Sequence, residues 1–188
     1  PLADLIWLQQ IKEPVEGLAR AYVSEEKQVA SEAEAVAGAR DILAERISDQ
    51  ADYRSYIRKI TMERGMIASS AKDGEIQSVY EMYYQYEELI KRCAGHRILA
   101  LNRGEKEKVL TVKIQAPEED IIRYLEKQVI TRNNPFTVPI LQETIRDSYD
   151  RLIGPAIERE VRSALTENAE AGAIKAVSYT HLRAHETL

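Results

Sequence analysis

The sequence of 188 residues contains one cysteine, one tryptophan, one phenylalanine and three histidines. A single cysteine excludes a disulfide within the chain and a zinc site built from several cysteines. We interpret Cys93 as a small packing residue, because Leu89, Ile90 and Ile98 lie close to it in the sequence. The lack of disulfides is typical of a reducing compartment, so we expect a cytoplasmic location.

Long hydrophobic runs are also missing. No run approaches the roughly 18 residues that a membrane-spanning helix needs, although hydrophobic residues make up 44% of the chain. The chain opens at Pro1 without an initiator methionine, an apolar signal segment or a basic leader. We therefore expect no membrane role, and we interpret the start as a cut edge.

The chain has no excess of positive charge: 26 Lys and Arg stand against 31 Asp and Glu, which gives a net charge of −5. Because nucleic-acid binding draws on phosphate neutralisation by basic side chains, the chain as a whole is not expected to act as an electrostatic clamp. A local basic surface is still compatible with this charge. Between residues 91 and 108 the basic residues are Lys91, Arg92, Arg97, Arg103, Lys106 and Lys108.

No catalytic motif is present, whether GxSxG or a glycine-rich phosphate loop. His96 lies three residues from Cys93, which allows a nucleophile pair, but no third group can be assigned to it. We predict no catalytic residues, no metal site and no cofactor, and we expect no small-molecule substrate.

The last residues differ in character from the rest. Residues 177–187 read VSYTHLRAHET and resemble a translated sequencing adapter. We expect 176–188 not to be native, and for that reason we discount the i, i+4 pair of His181 and His185 as metal ligands.

Most of the chain has the period of α-helices. Apolar residues recur at spacings of three and four from Ser31 to Ile47, and Ser31 with Glu34 resembles a capping box. Further helices are predicted over 51–64, over 75–92, after Pro117 and from about 137 to 169, with a kink or new start at Gly154-Pro155. Residues 66–71 are interpreted as a connection. We predict a mainly α fold, a multi-helix bundle.

A small β element interrupts this pattern. Leu110, Val112 and Ile114 alternate with polar residues, which predicts a strand over about 109–115. Residues 97–103 allow two interpretations. They form either a partner strand, with Gly104 supplying a positive φ in the hairpin loop, or a helix that leads into the strand.

Four segments in order resemble the Tex family of transcription accessory proteins. They are GARDILAE at 38–45, AKDGE at 71–75, HRILALNRGEKEKVL at 96–110 with the following VKI, and DSYDRLIGPAIEREVRSALTENAE at 147–170. The resemblance covers nearly all of residues 1–175. We therefore expect 1–175 to be a helical, N-terminal-like region of such a protein.

The resemblance implies a nucleic-acid-binding protein whose YqgF-type RNase H-like domain, helix-hairpin-helix segments and OB-type RNA-binding domain lie beyond this chain. RNA or DNA would then be bound by the full-length protein, with the transcription machinery as a further partner. Our first interpretation of the chain is a scaffold with at most weak nucleic-acid contact. The alternative is a non-catalytic helical module that binds another protein through an apolar groove.

Two overlapping sets of residues form the candidate site. Arg97, Arg103, Lys106 and Lys108 are candidate nucleic-acid contacts. His96, Asn102, Arg103 and Glu105 are a candidate structural clamp, because an arginine can hold a carboxylate with two hydrogen bonds. We favour an internal clamp between Arg103 and Glu105 over a phosphate contact.

Overall fold

The computed structural model describes residues 1–186, and side chains as far as residue 184, so His185 of the histidine pair lies outside the described side chains. Its described part is mainly α-helical and includes a three-stranded antiparallel sheet, which confirms the predicted fold class. The chain divides into two compact units. One comprises Pro1–Ile57 and Glu118–Ala156, and the other comprises Arg58–Pro117 with the chain from Ile157 onward.

The first unit is helical. Its helices are α1 (Leu2–Leu8), α2 (Val15–Ala19), α3 (Glu32–Ser48), the first half of α4 (Ala51–Arg64), α6 (Glu118–Val129) and α7 (Val138–Ser148). Helix α3 packs against α1, α2 and α7, and α6 packs against α7. The fully buried side chains at these contacts include Ile6, Leu43, Ile47, Leu141 and Ile145, which repeat at helical spacing.

The start of α3 follows from its sequence. The Ser31 hydroxyl accepts a hydrogen bond from the Glu34 backbone N–H at 3.2 Å. The Glu34 carboxylate in turn accepts one from the backbone N–H of Ala30 at 2.7 Å. Two N–H groups that the helix cannot satisfy are thereby bonded, and the predicted capping role of Ser31 is confirmed.

A buried glutamine ties α1 to the end of α6. Gln9 has a left-handed backbone, with φ of 55°. Its side-chain amide donates to the carbonyl of Val129 at 2.8 Å, and its oxygen accepts from the backbone N–H groups of Thr131 and Arg132. The amide of Asn134 donates back to the carbonyl of Gln9. Polar side chains thus satisfy backbone groups where α6 has already ended.

The second unit contains the sheet. Its elements are β1 (Met66–Ala71), β2 (Gln85–Leu89), α5 (Gly95–Lys106), β3 (Leu110–Gln115) and most of α8 (Gly154–Glu186), with the second half of α4. The strand order is β2-β1-β3, so that β1 is central and the two other strands are edges. Both pairings are antiparallel, with Ser69 opposite Tyr86 on one side and opposite Val112 on the other.

Two predictions for this unit are wrong. Residues 66–71 form the central strand and not a connection, and 75–92 contain β2 with short 3₁₀ turns and not a helix. In β1, Ile67 and Ser69 point to the buried face. The hydroxyl of Ser69 donates to the carbonyl of Tyr83 at 2.6 Å, so that a polar residue is satisfied at a core position.

The two interpretations of 97–103 are resolved in favour of the helix, and the predicted hairpin with 97–103 is wrong. Gly104 lies within α5 and has no positive φ; that conformation is found at Lys108, with φ of 61°. A Cβ on Gly104 would lie 2.5 Å from Cδ1 of Leu110. The glycine therefore permits the close approach of α5 to the start of β3.

Helix α8 begins at Gly154, where a new start was predicted. A π-helical turn over Tyr149–Ile153 precedes it. Pro155 lacks a backbone N–H, so the regular hydrogen-bond ladder cannot run through this point. From residue 170 to residue 184 every residue of α8 is exposed. The non-native origin of 176–188 stays a prediction. None of the helices within residues 1–186 combines the length and the hydrophobicity that a membrane-spanning segment needs.

Candidate nucleic-acid interface

Helix α5 carries most of the predicted site residues. Its first turn holds His96 and Arg97, and its last two turns hold Asn102, Arg103 and Glu105. The helix is positioned at both ends by glycines. A Cβ on Gly95 would lie 3.2 Å from the Cα of Ala169, and Gly104 packs on Leu110. The N-terminal end of α5 therefore lies against α8, and the C-terminal end lies against β3.

Arg97 is bonded to a carboxylate of the sheet. Its Nη1 donates to both carboxylate oxygens of Glu88, each at 3.0 Å, and the Tyr86 hydroxyl donates to the same carboxylate. These hydrogen bonds, first that of Tyr86 and then that of Arg97, hold the pKa of Glu88 below its usual value. Burial, followed by the bond to Glu88, raises the pKa of Tyr86. Arg97 is thus neutralised within the unit and is only 39% exposed.

Asn102 and Glu105 hold an arginine of α8. Nη2 of Arg162 donates to Oδ1 of Asn102 and to Oε1 of Glu105, both at 2.9 Å. The Asn102 amide donates to Oγ1 of Thr166 at 2.9 Å, and that hydroxyl donates to the carbonyl of Arg162. We call Asn102, Glu105, Arg162 and Thr166 the Arg162 clamp. The Arg162 side chain is 18% exposed and that of Glu105 is 41% exposed, so the arginine is the shielded member of this ion pair.

The Arg162 clamp also closes the outer edge of β3. The backbone N–H of Val112 donates to Oε2 of Glu105 at 3.4 Å, and its carbonyl accepts from Nη1 of Arg162 at 3.4 Å. The next outward N–H, that of Ile114, donates to Oε1 of Glu158 at 3.1 Å. Side chains therefore take the hydrogen bonds that another strand would make here.

The other predicted residues point to solvent. His96, Arg103, Lys106 and Lys108 are exposed. Among the described residues, no hydrogen bond joins His96 or Arg103 to the Arg162 clamp. Burial, followed by the carboxylate of Glu107, raises the pKa of Tyr80, and the nearby cation of Arg103 opposes this shift. We call Arg103, Lys106 and Lys108 the basic patch, because they follow each other at the end of α5 and in the turn before β3.

Among the predicted contact and clamp residues, Asn102 and Glu105 are thus the two that share a partner, the side chain of Arg162. Arg162, Thr166 and Glu158 were missed by the sequence analysis. A signal for them exists, because Glu158, Arg162 and Thr166 recur every four residues, each next to one of the buried residues Ile157, Val161 and Leu165. Polar residues that directly border a buried stripe lie at the margin of the packed face, from which their side chains can reach polar groups of a neighbouring element.

Cys93 and His96 are not joined as a nucleophile pair in the described residues. The Cys93 thiol lies 3.8 Å from the Tyr86 hydroxyl and 4.0 Å from the carbonyl of Ala94. Burial raises the pKa of Cys93, which disfavours the nucleophilic thiolate. The described residues also contain no group of three or more His, Cys, Asp or Glu placed to hold a metal ion.

Comparison with known proteins identifies the region. The family model described as Tex central region-like matches residues 10–177. This family model describes the central region of Tex proteins. The sequence analysis had named an N-terminal-like region of the same family.

Individual proteins are also similar to this chain over most of its length. The protein YdcI of Bacillus subtilis (strain 168) is 49% identical over 177 residues, which cover 93% of this chain and 25% of that protein. The transcriptional accessory protein Tex of Neisseria gonorrhoeae is 28% identical, with 93% of this chain and 24% of that protein covered. The S1 RNA-binding domain-containing protein 1 of Homo sapiens is 33% identical, with 71% and 15% covered.

The chain therefore spans a quarter or less of the length of these relatives. Since the family model covers most of the chain, the chain belongs to the Tex family and corresponds to its central region.

Proposed function

We propose that this chain is a helical scaffold within a transcription accessory, nucleic-acid-binding protein, and that its own contact with nucleic acid is weak. The family match over residues 10–177 carries this proposal. The names of two relatives support it, one being a transcriptional accessory protein and the other an S1 RNA-binding domain-containing protein. We further propose a cytoplasmic, non-enzymatic role, with RNA or DNA bound mainly by the full-length protein and the transcription machinery as a partner.

The proposed contact is the basic patch. Its three cations are exposed, and the neighbouring carboxylate of Glu105 is held by Arg162. Arg97 contributes less to our proposal than the patch does, because the two hydrogen bonds to Glu88 already neutralise it. The hydrogen bonds between Arg97 and Glu88 would have to break before a phosphate could take the place of the Glu88 carboxylate.

The position of the basic patch explains why its contact should be weak. Arg103 and Lys106 lie in the last turn of α5, where the helix dipole places partial negative charge. That charge stabilises the cations but opposes an approaching phosphate. The net charge of −5 adds a further repulsion at long range.

Salt-dependent binding tests this proposal. We expect the 188-residue chain to bind single-stranded RNA at low salt with a log–log slope of about −2, since three phosphate contacts on a single strand contribute about 0.7 each. The triple variant Arg103→Ala, Lys106→Ala, Lys108→Ala should flatten that slope towards zero. Fluorescence anisotropy across a salt series, with single-stranded RNA and with duplex DNA, measures the slope.

The matched control is Lys12→Ala, Lys27→Ala, Lys59→Ala, which removes the same charge from three exposed lysines elsewhere. It should leave most of the slope intact. Equal loss in both triple variants would contradict the basic patch, because binding would then follow net charge alone. If RNA and DNA do not bind at low salt, the contact belongs to other parts of the protein and the scaffold role alone remains.

The alternative from the sequence analysis, a non-catalytic helical module that binds another protein through an apolar groove, stays a prediction.

A further inference from the structure

The two edges of the sheet differ in how their backbone groups are satisfied. At one end of β2, Ala71 of β1 donates to the carbonyl of Tyr84, and at the other end Ile90 donates to the carbonyl of Gly65, the residue before β1. Tyr86 and Glu88 therefore face β1 in the ladder. In an antiparallel pair the alternate residues face the other way, which places the N–H and C=O groups of Gln85 and Glu87 at the outer edge. Among the described residues, none bonds to these four groups. The corresponding groups of β3 are taken by the side chains of Glu105, Arg162 and Glu158.

Exposed apolar side chains lie next to this open edge. Ile76, Val79 and Met82 are 56%, 86% and 69% exposed, in the segment that leads into β2. A cavity of about 490 Å³ opens beside the first residue of β2 and is lined by Met82, Tyr84 and Gln85, among others. A cavity bordered by an exposed apolar side chain such as Met82 is a place where an apolar side chain of a partner can be buried.

The same segment is acidic. Asp73, Glu75, Glu81 and Glu87 are exposed, and no Lys or Arg occurs between Asp73 and Ile90. The carboxylate of Glu88 is the exception, because Arg97 neutralises it. Lys72, Lys91 and Arg92 flank this segment, but the carboxylates of Glu81 and Glu87 lie next to the outward groups of β2 in the sequence. These carboxylates favour a partner segment that carries cations opposite them.

We propose that the outer edge of β2 binds an extended segment of a partner protein, in which Lys or Arg alternates with apolar residues, as a fourth strand. Its backbone pairs with Gln85 and Glu87, and its apolar side chains cover Met82 and the adjacent cavity. Its cations face Glu81 and Glu87. Main-chain hydrogen bonds supply affinity and alternate side chains supply specificity, as in other cases of strand addition.

A second copy of the chain is a poorer occupant. Two β2 edges paired antiparallel would bring the exposed Glu87 of one copy close to carboxylates of the other. Like charges opposite each other across a strand pair are destabilising. A basic segment removes this repulsion and gains from the same charges.

A peptide-binding experiment on the whole chain tests the proposal. The probe is a synthetic peptide of about seven residues, a usual strand length, that alternates lysine with valine. The control peptides replace lysine with glutamate, or carry N-methyl groups on the backbone nitrogens of one edge. We expect the lysine peptide to slow amide hydrogen exchange at Gln85 and Glu87 and not at Val112 or Ile114. Both control peptides should fail to do so.

The variant Glu87→Pro removes one outward donor, and that donor takes no part in the β1–β2 ladder. It should weaken binding of the lysine peptide about tenfold by fluorescence anisotropy, since one hydrogen bond and one charge are lost. Glu87→Gln, which keeps the N–H, should weaken binding less. The pair separates the backbone contribution from the charge contribution.

The proposal fails if the lysine peptide gives no exchange protection at millimolar concentration, or if the glutamate peptide binds equally well. It also fails if the chain dimerises in sedimentation experiments and Glu87→Pro abolishes the dimer, since the edge then belongs to a second copy. Should Glu87→Pro not fold, the N-methylated peptide decides the question on the unmodified chain. Loss of RNA binding in the basic patch variant would not affect any of these outcomes.

Discussion

The edges of the three-stranded sheet are treated in opposite ways. At β3, side chains from α5 and α8 bond to the outward backbone groups of Val112 and Ile114. At β2, the outward backbone groups of Gln85 and Glu87 have no such bonds among the described residues. The contact of this strand with α5 is the pair of hydrogen bonds from Arg97 to the carboxylate of Glu88. The two edges use the same residue types, glutamate and arginine, for different purposes. The comparison shows that closing a strand edge requires side chains directed at the backbone, and that charge alone does not close it.

Among the substitutions that test the difference between the two edges, Arg162→Ala should lower the free energy of unfolding most. The change leaves Glu105 and Asn102 without their shared partner and removes the donor to the Val112 carbonyl at the edge of β3. We expect the free energy of unfolding to fall by about 2 kcal/mol, because a largely buried arginine loses three hydrogen bonds at once. Urea denaturation measures the fall, and amide exchange at Val112 should approach the rate at Glu87.

The matched control for this change is Arg58→Ala. Arg58 also bonds to a glutamate, Glu160, at 2.6 Å, but the two side chains are 46% and 37% exposed. Removal of that exposed pair should cost only about 0.5 kcal/mol. Equal losses in the two variants would mean that the Arg162 clamp acts as an ordinary surface ion pair.

A smaller effect is expected from Gly104→Ala, which tests how α5 supports the closed edge. The new Cβ would lie 2.5 Å from Cδ1 and 2.9 Å from Cγ of Leu110, so that α5 must move away from β3. We expect a loss of about 1 to 2 kcal/mol in urea denaturation, typical of overpacking.

Gly38→Ala is the control for the glycine change. Gly38 lies within α3, and a Cβ there would meet no atom within 4 Å. Alanine is favoured over glycine in a helix, so this variant should gain about 0.5 to 1 kcal/mol. A similar gain in Gly104→Ala would show that the contact with Leu110 is looser than we describe.

The smallest expected change in the free energy of unfolding comes from Glu88 in the open-edge strand β2, and it depends on pH. The hydrogen bonds from Tyr86 and Arg97 lower the pKa of Glu88 from its ordinary value of 4.5. A lowered native pKa stabilises the fold above the unfolded value, and this contribution is lost as the pH falls through the native value. Glu88→Gln should therefore be less stable than the wild type at pH 7, by under about 1 kcal/mol because the pair is partly exposed.

This stability difference should disappear in urea denaturation below the native pKa of Glu88. Glu87→Gln removes the same charge from the exposed neighbouring position and should change stability by less than about 0.5 kcal/mol at pH 7. A difference for Glu88→Gln that persists in acid would contradict the role that we assign to its carboxylate.

The sequence predicted the helices better than the sheet. Ser31 with Glu34 marks the start of α3, because a helix cap leaves a local signal in the sequence. The strand β3 was found from the alternation of Leu110, Val112 and Ile114. The strand β1 has the sequence MIASSA, in which a buried Ser69 takes a place where an apolar residue is expected. The hydroxyl of this serine donates to the carbonyl of Tyr83, which is 14 residues away in the sequence, so the local sequence pattern could not indicate a buried position.

The candidate site was only partly predictable for the same reason. Asn102 and Glu105 were chosen as clamp residues because they lie close to Arg103 in the sequence, but the arginine that they hold is Arg162. Arg162 is far away in the sequence, so local spacing could not choose between the two arginines. The nucleic-acid contact of the basic patch stays a prediction.

A sheet whose backbone groups are bonded at one edge and open at the other can add a strand at the open edge only. If two copies ever meet through β2, each uses its single available side, and the assembly stops at a pair. Fibre growth needs two joinable sides on every subunit. The side chains of Glu105, Arg162 and Glu158 on β3 therefore protect the chain against open-ended polymerisation, even while β2 remains accessible.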